Sequence, residues 1–164
     1  SRLMTKLTKR IFTILTIAAA VIVAASCEKY EDGKPSKDVR TEFAKMYPNA
    51  WDVEWERYGD GNWVVSFETG KRPDGIDHKA FYDRNGNWVQ TITDVLLADV
   101  PQDIKNYLQE SEYAQAQFED YDAEYFETQA GDNFYRFDLV MGGRNIEVDV
   151  NANGEVTPAR YGYF

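Results

Sequence analysis

Two stretches of the chain repeat their apolar residues at spacings of three and four, and both are predicted to be helices. The first covers residues 38–47, where Val39, Phe43 and Met46 fall on one face of a helix. The second covers residues 102–110 and has the same kind of spacing. Each helix is therefore expected to bury one apolar face against another layer of structure.

Outside these helices, apolar residues recur at every second position, which is typical of strands with one buried face. Trp63, Val65 and Phe67 form one such set. Short pairs of turn residues separate these runs, and such pairs favour hairpins. They are Asp60-Gly61, Asn85-Gly86, Gly131-Asp132, Gly142-Gly143 and Asn153-Gly154. We therefore predict antiparallel strands after each helix.

The chain also contains an internal repeat. Residues 52–68 align with residues 122–138 without gaps, with aspartate, glutamate, glycine and phenylalanine at matching positions. Self-similarity of this kind indicates a repeated structural unit. The predicted fold class is α+β, with two tandem units of one helix and four antiparallel strands, at residues 38–95 and 96–164. The residues expected to pack at the junction are Leu96, Leu97 and Val100.

The first 26 residues have the pattern of a signal peptide. A basic start precedes an apolar run over residues 11–25, and small residues end this run before Cys27. Small residues followed by cysteine resemble the lipobox, at which bacterial lipoproteins are cleaved and acylated, although Ala24 stands where a larger aliphatic residue is usual. The alternatives are an ordinary signal peptide beside a chance cysteine, or a short membrane anchor.

Cys27 is the only cysteine in the sequence, so it has no partner for a disulfide within the chain. Acylation of Cys27 would anchor the protein stably in a membrane, with residues 27–37 as a tether. The acidic residues that follow Cys27 resemble a signal for transfer to the cell surface. We therefore expect an exported outer-membrane lipoprotein that faces the periplasm or the cell surface.

The chain is strongly acidic after the signal peptide. Residues 1–26 contain four of the 18 basic residues and none of the 28 acidic ones, so residues 27–164 carry 14 basic and 28 acidic residues, a formal charge of −14. Nucleic acid and anionic lipid repel such a chain. The four Trp, eleven Tyr and nine Phe of the sequence distinguish it from disordered acidic chains. The charge favours solubility or a cationic partner.

The sequence offers no set of residues for catalysis or metal binding. His78 is the only histidine; we expect it on the surface near a loop, without a nucleophile beside it. Zinc sites need several histidine or cysteine ligands. Residues 149–154 match the first half of a calcium loop, but Arg160 stands where that loop needs a bidentate glutamate, so a hairpin turn is predicted there. We expect a protein that is not an enzyme and has no cofactor.

The strands also predict a surface for binding. Each helix covers only one face of its sheet, so the other face would carry aromatic residues among carboxylates. Exposed apolar groups within a charged surround are typical of protein interfaces. The alternative is that the two sheets bury these residues on each other. The candidate partner-binding residues are Glu54, Glu56, Tyr58, Glu124, Phe126 and Phe134.

Together, the signal peptide, the repeat and two short motifs resemble the PepSY-like, β-lactamase-inhibitor-like family. The motifs are D-x-E-W-E at residues 52–56 and D-x-N-G-x-W at residues 83–88. The resemblance covers nearly all of residues 27–164, and it implies a tandem α+β structure whose sheets join into one curved surface. In β-lactamase inhibitor proteins, that surface binds an enzyme.

The resemblance therefore implies a lipid-anchored, non-catalytic module of the cell envelope that recognises a protein or peptide, with enzyme inhibition as one form of this role. Carbohydrate binding through exposed aromatic rings is the alternative. A carbohydrate site needs one or two flat exposed rings in a groove, whereas a protein site is a broad patch.

Overall fold

The computed structural model describes residues 28–160, which form two helices and ten strands. The predicted signal peptide, the predicted lipidation site Cys27 and residues 161–164 lie outside the described residues. The helices are α1 (Lys37–Met46) and α2 (Gln102–Gln109), and a 3₁₀ turn covers Leu97–Asp99. The strands are β1 (Lys29–Tyr30), β2 (Trp51–Tyr58), β3 (Asn62–Thr69), β4 (Ile76–Tyr82), β5 (Trp88–Leu96), β6 (Gln117–Phe118), β7 (Asp122–Thr128), β8 (Phe134–Met141), β9 (Arg144–Asn151) and β10 (Val156–Pro158).

All ten strands belong to one sheet, in the order β1-β2-β3-β4-β5-β7-β8-β9-β10, with β6 paired to β8. Every pairing is antiparallel except that between β1 and β2. Residues 90–96 of β5 pair with residues 122–128 of β7, so the sheet runs unbroken from the strands that follow α1 to those that follow α2. This is an α+β fold, as predicted.

The first core lies between α1 and strands β2 to β5. Ser36 begins the helix, because its side chain accepts a hydrogen bond from the Val39 backbone N–H (3.5 Å). Val39 and Phe43 are the buried residues of α1. The Phe43 ring meets the rings of Trp55 and Phe67 edge-on, at 5.2 Å and 5.1 Å between centroids. The apolar spacing of residues 38–47 thus predicted the buried helix face correctly.

The second core lies between α2 and strands β7 to β10, and it includes Ile104 and Leu108 of the helix. Both helices cover the same face of the sheet, because paired residues share a face. The pairing that connects the two cores runs through Phe67, His78, Thr93, Tyr125 and Tyr135. We call this side the helix face and the opposite side the open face.

All five predicted turns lie between consecutive strands. Two of them share the same hydrogen bonds, because Asp83 and Asn151 each accept, through Oδ1, from the backbone N–H groups two and four residues later. Side chains of this type stabilise a turn by bonding to the backbone just after it. The second turn includes the partial calcium motif of residues 149–154, which is therefore a hairpin turn, as predicted.

The same two turns each pack against a helix through a glycine. Gly86 and Gly154 have positive φ angles of +85° and +83°. A Cβ atom on Gly86 would lie 3.1 Å from the backbone carbonyl carbon of Asp38 in α1, and one on Gly154 would lie 3.0 Å from the ring of Tyr107 in α2. Both turns need glycine for its backbone angle and for its lack of a side chain.

We expect Gly86→Ala to destabilise the protein by more than the cost of the backbone angle alone, which is about 1–2 kcal/mol. The additional loss comes from the contact of the new methyl group with the α1 backbone. Gly131→Ala is the matched control, because Gly131 has φ +80° and no neighbouring atom within 4 Å of an added Cβ. Urea unfolding of both variants measures the difference, and equal losses would contradict close packing of the turn on α1.

The sequence predicts a tether at residues 27–37, whereas the described part of this segment is bound to the sheet. Strand β1 pairs with β2 in parallel. The Glu28 carboxylate accepts hydrogen bonds from the Trp55 indole N–H (3.2 Å) and the Tyr30 hydroxyl (2.6 Å). Asp32 accepts from the backbone N–H of Arg57 (3.0 Å). These contacts occupy the edge of β2, which would otherwise expose unpaired backbone groups.

Leu96 does not pack in the junction as predicted, because its side chain is 60% exposed. Strand β5 continues through Leu96, and the alternation of the strand directs this side chain to the open face. Val100 was predicted correctly: it is 3% exposed and belongs to the core under α2, and Leu97 packs against the same core.

His78 lies in the middle of β4 rather than on the surface near a loop, so that prediction is wrong. Its ring stacks on Phe67 at 4.9 Å on the helix face. Its nitrogens form hydrogen bonds with the hydroxyl groups of Thr69 (2.7 Å) and Thr93 (2.8 Å). Burial lowers the pKa of His78, which agrees with a structural role for the neutral ring.

Candidate functional site

The open face carries all six candidate binding residues. Antiparallel sheets can leave one face uncovered by helices, and residues two apart on a strand share that face. Glu56, Tyr58 and Glu124 lie on it for this reason. The row of paired residues that crosses the face consists of Glu54, Ser66, Lys79, Ile92, Phe126 and Phe134.

An apolar cluster occupies the centre of the open face. Phe126 and Phe134, which are paired across β7 and β8, stack with their centroids 4.7 Å apart. Tyr58 meets Phe81 edge-on at 5.5 Å. Ring pairs of this kind contribute about 0.5–1.5 kcal/mol beyond the burial of their area. We call this group the aromatic cluster; its members are Tyr58, Val64, Phe81, Val89, Ile92, Phe126 and Phe134.

The central side chains of the aromatic cluster are buried, with Phe81, Ile92 and Phe126 exposed by only 4%, 5% and 2%. The prediction that Phe126 is an exposed ring is therefore wrong. Phe126 is covered by the stacked ring of Phe134 and by the guanidinium of Arg136, whose central carbon lies 4.5 Å from the Phe126 centroid. The side chains of Tyr58 and Phe134 are partly exposed.

Arg136 is a nearly buried cation at the border of the aromatic cluster, 7% exposed. Its Nε and Nη2 atoms donate to the two carboxylate oxygens of Asp149, at 2.8 Å and 3.1 Å. Nη2 also donates to the backbone carbonyl of Arg160 at 3.2 Å. Such a two-pronged pair fixes orientation, so Asp149 holds the guanidinium over Phe126. The sequence analysis did not predict this pair. The signal that could have indicated it is an arginine in one strand and an aspartate in the next, both on the same face of the sheet.

Carboxylates from five neighbouring strands form a band beside the aromatic cluster. Asp94 pairs with Glu124 across β5 and β7, and Asp138 pairs with Glu147 across β8 and β9. Glu124 is the one member of the band among the candidate partner-binding residues, and no local pattern predicts the pairing of β5 with β7 that brings it beside Asp94. We call this group the acidic band; its members are Asp77, Asp94, Asp122, Glu124, Asp138 and Glu147.

Four members of the acidic band have raised carboxyl pKa values. For Asp94 and Glu124, burial is the larger cause and repulsion from neighbouring carboxylates adds to it. Burial is again the first cause at Asp138 and Glu147, and nearby carboxylates contribute there too. These groups therefore hold their negative charge at a free-energy cost, which a cation placed among them would relieve.

A second acidic group lies at the β1–β2 edge of the sheet. The carboxylate oxygens of Glu31, Glu54 and Glu56 lie within 4.8 Å of one another. A hydrogen bond to Glu54 is the first cause that raises the pKa of Glu31, and repulsion by Glu54 is the second. Oxygen ligands suit hard cations such as Ca²⁺. However, exposed carboxylates gather on acidic surfaces without an ion, so we assign no metal to this group.

No family model and no curated protein matches the sequence. Solved structures do match the fold. A BLIP-like protein from Bacteroides fragilis has a TM-score of 0.65 and 21% identity, with 77% of this chain and 85% of that chain covered. A DUF2874 family protein from Bacteroides uniformis has a TM-score of 0.65 and 23% identity, with 77% and 89% covered.

A protein described as a candidate periplasmic protein, from Bacteroides eggerthii, has a TM-score of 0.62 and 20% identity, with 76% of this chain and 86% of that chain covered. At these identities the likeness shows the fold alone. The chain therefore has the BLIP-like fold that the sequence resemblance implied.

Proposed function

We propose that this protein is a non-catalytic binding module of the bacterial cell envelope, which recognises a protein or peptide on the open face of its sheet. The observation that carries the proposal is the acidic band, where four carboxyl groups with raised pKa values lie beside an aromatic cluster. A polar surround next to an apolar centre is the usual anatomy of a protein interface.

The chemistry of the band favours a partner that presents lysine or arginine. A cation among these carboxylates would lower their pKa values, and the relief of their mutual repulsion would add to the attraction. The formal charge of −10 for the whole sequence would also speed the encounter with a basic partner, more so at low salt. Enzyme inhibition is one form that such binding takes.

The remaining candidate residues have distinct places in this proposal. Glu54 and Glu56 supply a second anionic contact at the far edge of the face, while Tyr58 and Phe134 offer partly exposed ring edges between the two acidic regions. Phe126 is buried and stacks against Phe134, so it supports this surface without being exposed on it. Carbohydrate stacking needs a flat exposed ring, and the buried rings at the centre of the aromatic cluster do not favour it.

Export and lipid attachment at Cys27 belong to the same proposal. The periplasmic description of one structural neighbour supports export. None of the helices within residues 28–160 is long and apolar enough to cross a membrane. Because Trp55 holds Glu28 against the sheet, and consecutive Cα atoms lie about 3.8 Å apart, a lipid on Cys27 would place the β1–β2 edge close to the membrane.

We also propose that the two tandem units, residues 38–95 and 96–164, arose by duplication. Each begins with a helix that packs on the strands after it. The matching turns at Asp83 and Asn151, with Gly86 and Gly154 packed on their respective helices, support the proposal. Turn chemistry and turn-to-helix packing that recur at equivalent positions are typical of repeated units.

Capture from solubilised envelope and secreted proteins tests the proposed function, with residues 28–164 as bait. We expect a basic partner to bind the unaltered bait. The partner should be lost from a bait in which the acidic band is neutralised by Asp94→Asn, Glu124→Gln, Asp138→Asn and Glu147→Gln. A partner that binds both baits equally would refute binding at the acidic band.

The matched control removes four charges from turns and a helix end instead, by Asp60→Asn, Asp74→Asn, Asp99→Asn and Glu110→Gln, all at exposed positions. This control should retain the partner if local charge, rather than net charge, decides binding. Capture should also weaken on acidification, because protonation removes the charge of the band. Because the carboxyl pKa values of the band are raised, its negative charge is lost at a higher pH than that of ordinary surface carboxylates.

A further inference from the structure

We propose that a cavity between two hairpins binds the main chain of an extended peptide segment of the partner. The carbonyl groups of this segment accept hydrogen bonds from the side-chain amides of Gln90, Asn133 and Asn151. The inference rests on the proposed function, because it concerns how a peptide partner continues beyond the acidic band. It adds a site that recognises peptide carbonyl groups, whereas the acidic band recognises basic side chains.

The cavity lies where the β7–β8 hairpin and the β9–β10 turn come together, and we call it the hairpin cavity. Asn133 lines it from the first of these and Asn151 from the second, and Phe126 and Phe134 line it as well. Because Phe134 pairs with Asn151, this part of the lining belongs to the open face. The volume is about 840 Å³, within the range of about 300–1,000 Å³ that is usual for ligand sites.

The charges in the lining of the hairpin cavity largely offset one another. Arg136 and Asp149 are bound to each other through two hydrogen bonds. The other charged residues of the lining are exposed, and they are Asp132, Glu155 and Arg160. Because burying a charge without a partner is costly, the cavity suits a ligand segment that is polar but uncharged, as a peptide main chain is.

The backbone fixes the direction of the two asparagine amides. Asn133 Oδ1 accepts from the Thr128 backbone N–H at 3.0 Å. Asn151 Oδ1 accepts from the backbone N–H groups of Asn153 and Glu155, both at 3.0 Å. Since a backbone N–H only donates, the side-chain oxygen must face it and the NH₂ group takes the other position. Each NH₂ group is thereby left to donate to a ligand.

A third amide in the lining, that of Gln90, has a donor without an acceptor. The residue is 7% exposed, and its Nε2 atom is buried with no hydrogen bond within residues 28–160. Buried polar groups are normally hydrogen-bonded, so this donor indicates an acceptor from outside, reached directly or through a bridging water. Peptide carbonyl groups only accept, whereas sugar hydroxyl groups also donate, so three amide donors match a peptide better.

One peptide can reach both the hairpin cavity and the acidic band. Glu124 of the band and Thr128, which pairs with Gln90, lie on the same face of β7. They are about 13 Å apart at about 3.3 Å per residue. An extended peptide that runs along β7 covers this distance in about four residues. A basic side chain in the band therefore places the main chain about four positions away in the cavity.

NMR of the side-chain amides tests the proposal, with residues 28–164 as the protein. The probes are acetyl-Lys-Ala-Ala-Ala-Ala-amide and the reversed acetyl-Ala-Ala-Ala-Ala-Lys-amide, because the direction of binding is not fixed. We expect one of them to shift the NH₂ signals of Gln90, Asn133 and Asn151, and titration gives its affinity. A variant with Asn133→Asp and Asn151→Asp should bind it at least about tenfold more weakly, because two donors are lost. No shift with either peptide would overturn the proposal.

The two aspartates preserve the turns, because a carboxylate oxygen can accept the same backbone hydrogen bonds, as Asp83 does in the matching turn. The matched control adds the same charge by Asn49→Asp and Asn85→Asp, at exposed positions outside the lining. It should bind the peptide at least as tightly as the unaltered protein. Equal affinities of the two double variants would contradict donation by the cavity amides.

If the variant with Asn133→Asp and Asn151→Asp does not fold, Gln90→Met decides. Methionine has a similar length and shape but no donor, so the affinity should fall at least about threefold. Gln115→Met, at an exposed glutamine, is the control and should leave the affinity unchanged. An unchanged affinity in Gln90→Met would overturn the proposal.

The variant with the neutralised acidic band separates this proposal from the proposed function. If only the cavity variant loses the peptide, the hairpin cavity is supported and binding at the acidic band is refuted. If only the band variant loses it, the cavity is refuted and the proposed function stands. Binding of N-acetylglucosamine in the absence of peptide binding would assign the cavity to a sugar, which also overturns the proposal.

Discussion

An Arg136→Ala variant is expected to lose about 3–5 kcal/mol of unfolding free energy at pH 7, as is usual when one partner of a buried ion pair is removed. The change leaves the Asp149 side chain, which is 13% exposed, without its cation. It also uncovers the rings of Phe126 and Phe134. Urea unfolding measures the loss, and Arg144→Ala, at an exposed arginine, should stay within about 0.5 kcal/mol of the unaltered protein.

The loss of unfolding free energy caused by Arg136→Ala should become smaller as the pH falls. Arg136 lowers the carboxyl pKa values of Glu124, Asp138 and Glu147, so these values rise further in the native variant. The native variant then binds more protons than the native unaltered protein, which means that acidification favours the variant. A destabilisation that stays constant from pH 7 down to the carboxyl range would contradict this coupling.

A double variant separates the contribution of the ion pair to stability from the contribution of the contacts around it. Replacing both partners, as Arg136→Met with Asp149→Leu, should recover much of the stability, because well-packed apolar side chains often replace a buried pair at little cost. No recovery would show instead that the contacts of the guanidinium with the rings and with the Arg160 carbonyl carry most of the stabilisation.

The local elements of this fold could be predicted because short-range patterns determine them. Both helices and the hairpin turns followed from periods of 3.6 and 2 and from turn residues. The order of strands at the centre could not be derived this way. The pairing of β5 with β7 joins residues about thirty positions apart, and no local signal specifies it.

The same limit explains the errors at the candidate site. Strand alternation placed Phe126 on the open face, but it carries no information on what covers that face. The contacts of Arg136 with Asp149, Phe126 and Phe134 form only once β7, β8 and β9 lie side by side. The error at His78 is of the opposite kind. The residues next to His78 in the sequence are typical of a loop, yet β4 places its ring on the helix face against Phe67.

A Phe126→Ala variant is expected to lose about 3–5 kcal/mol of unfolding free energy, the range for truncating a buried phenylalanine. Phe126 is 2% exposed and touches the stacked ring of Phe134 and the guanidinium of Arg136. The matched control is Tyr121→Ala, an aromatic side chain that is 91% exposed and should change stability by no more than about 0.5 kcal/mol. Both values come from urea unfolding at one pH.

The result decides how binding data on this face can be interpreted. A large loss means that a Phe126 variant which fails to capture a partner has lost its fold, and only charge neutralisation in the acidic band can then locate the site. A loss below about 1 kcal/mol, near the ordinary effect of a point mutation, would mean that the ring contributes little to the fold. Phe126 would then return to the surface role that its sequence position predicts.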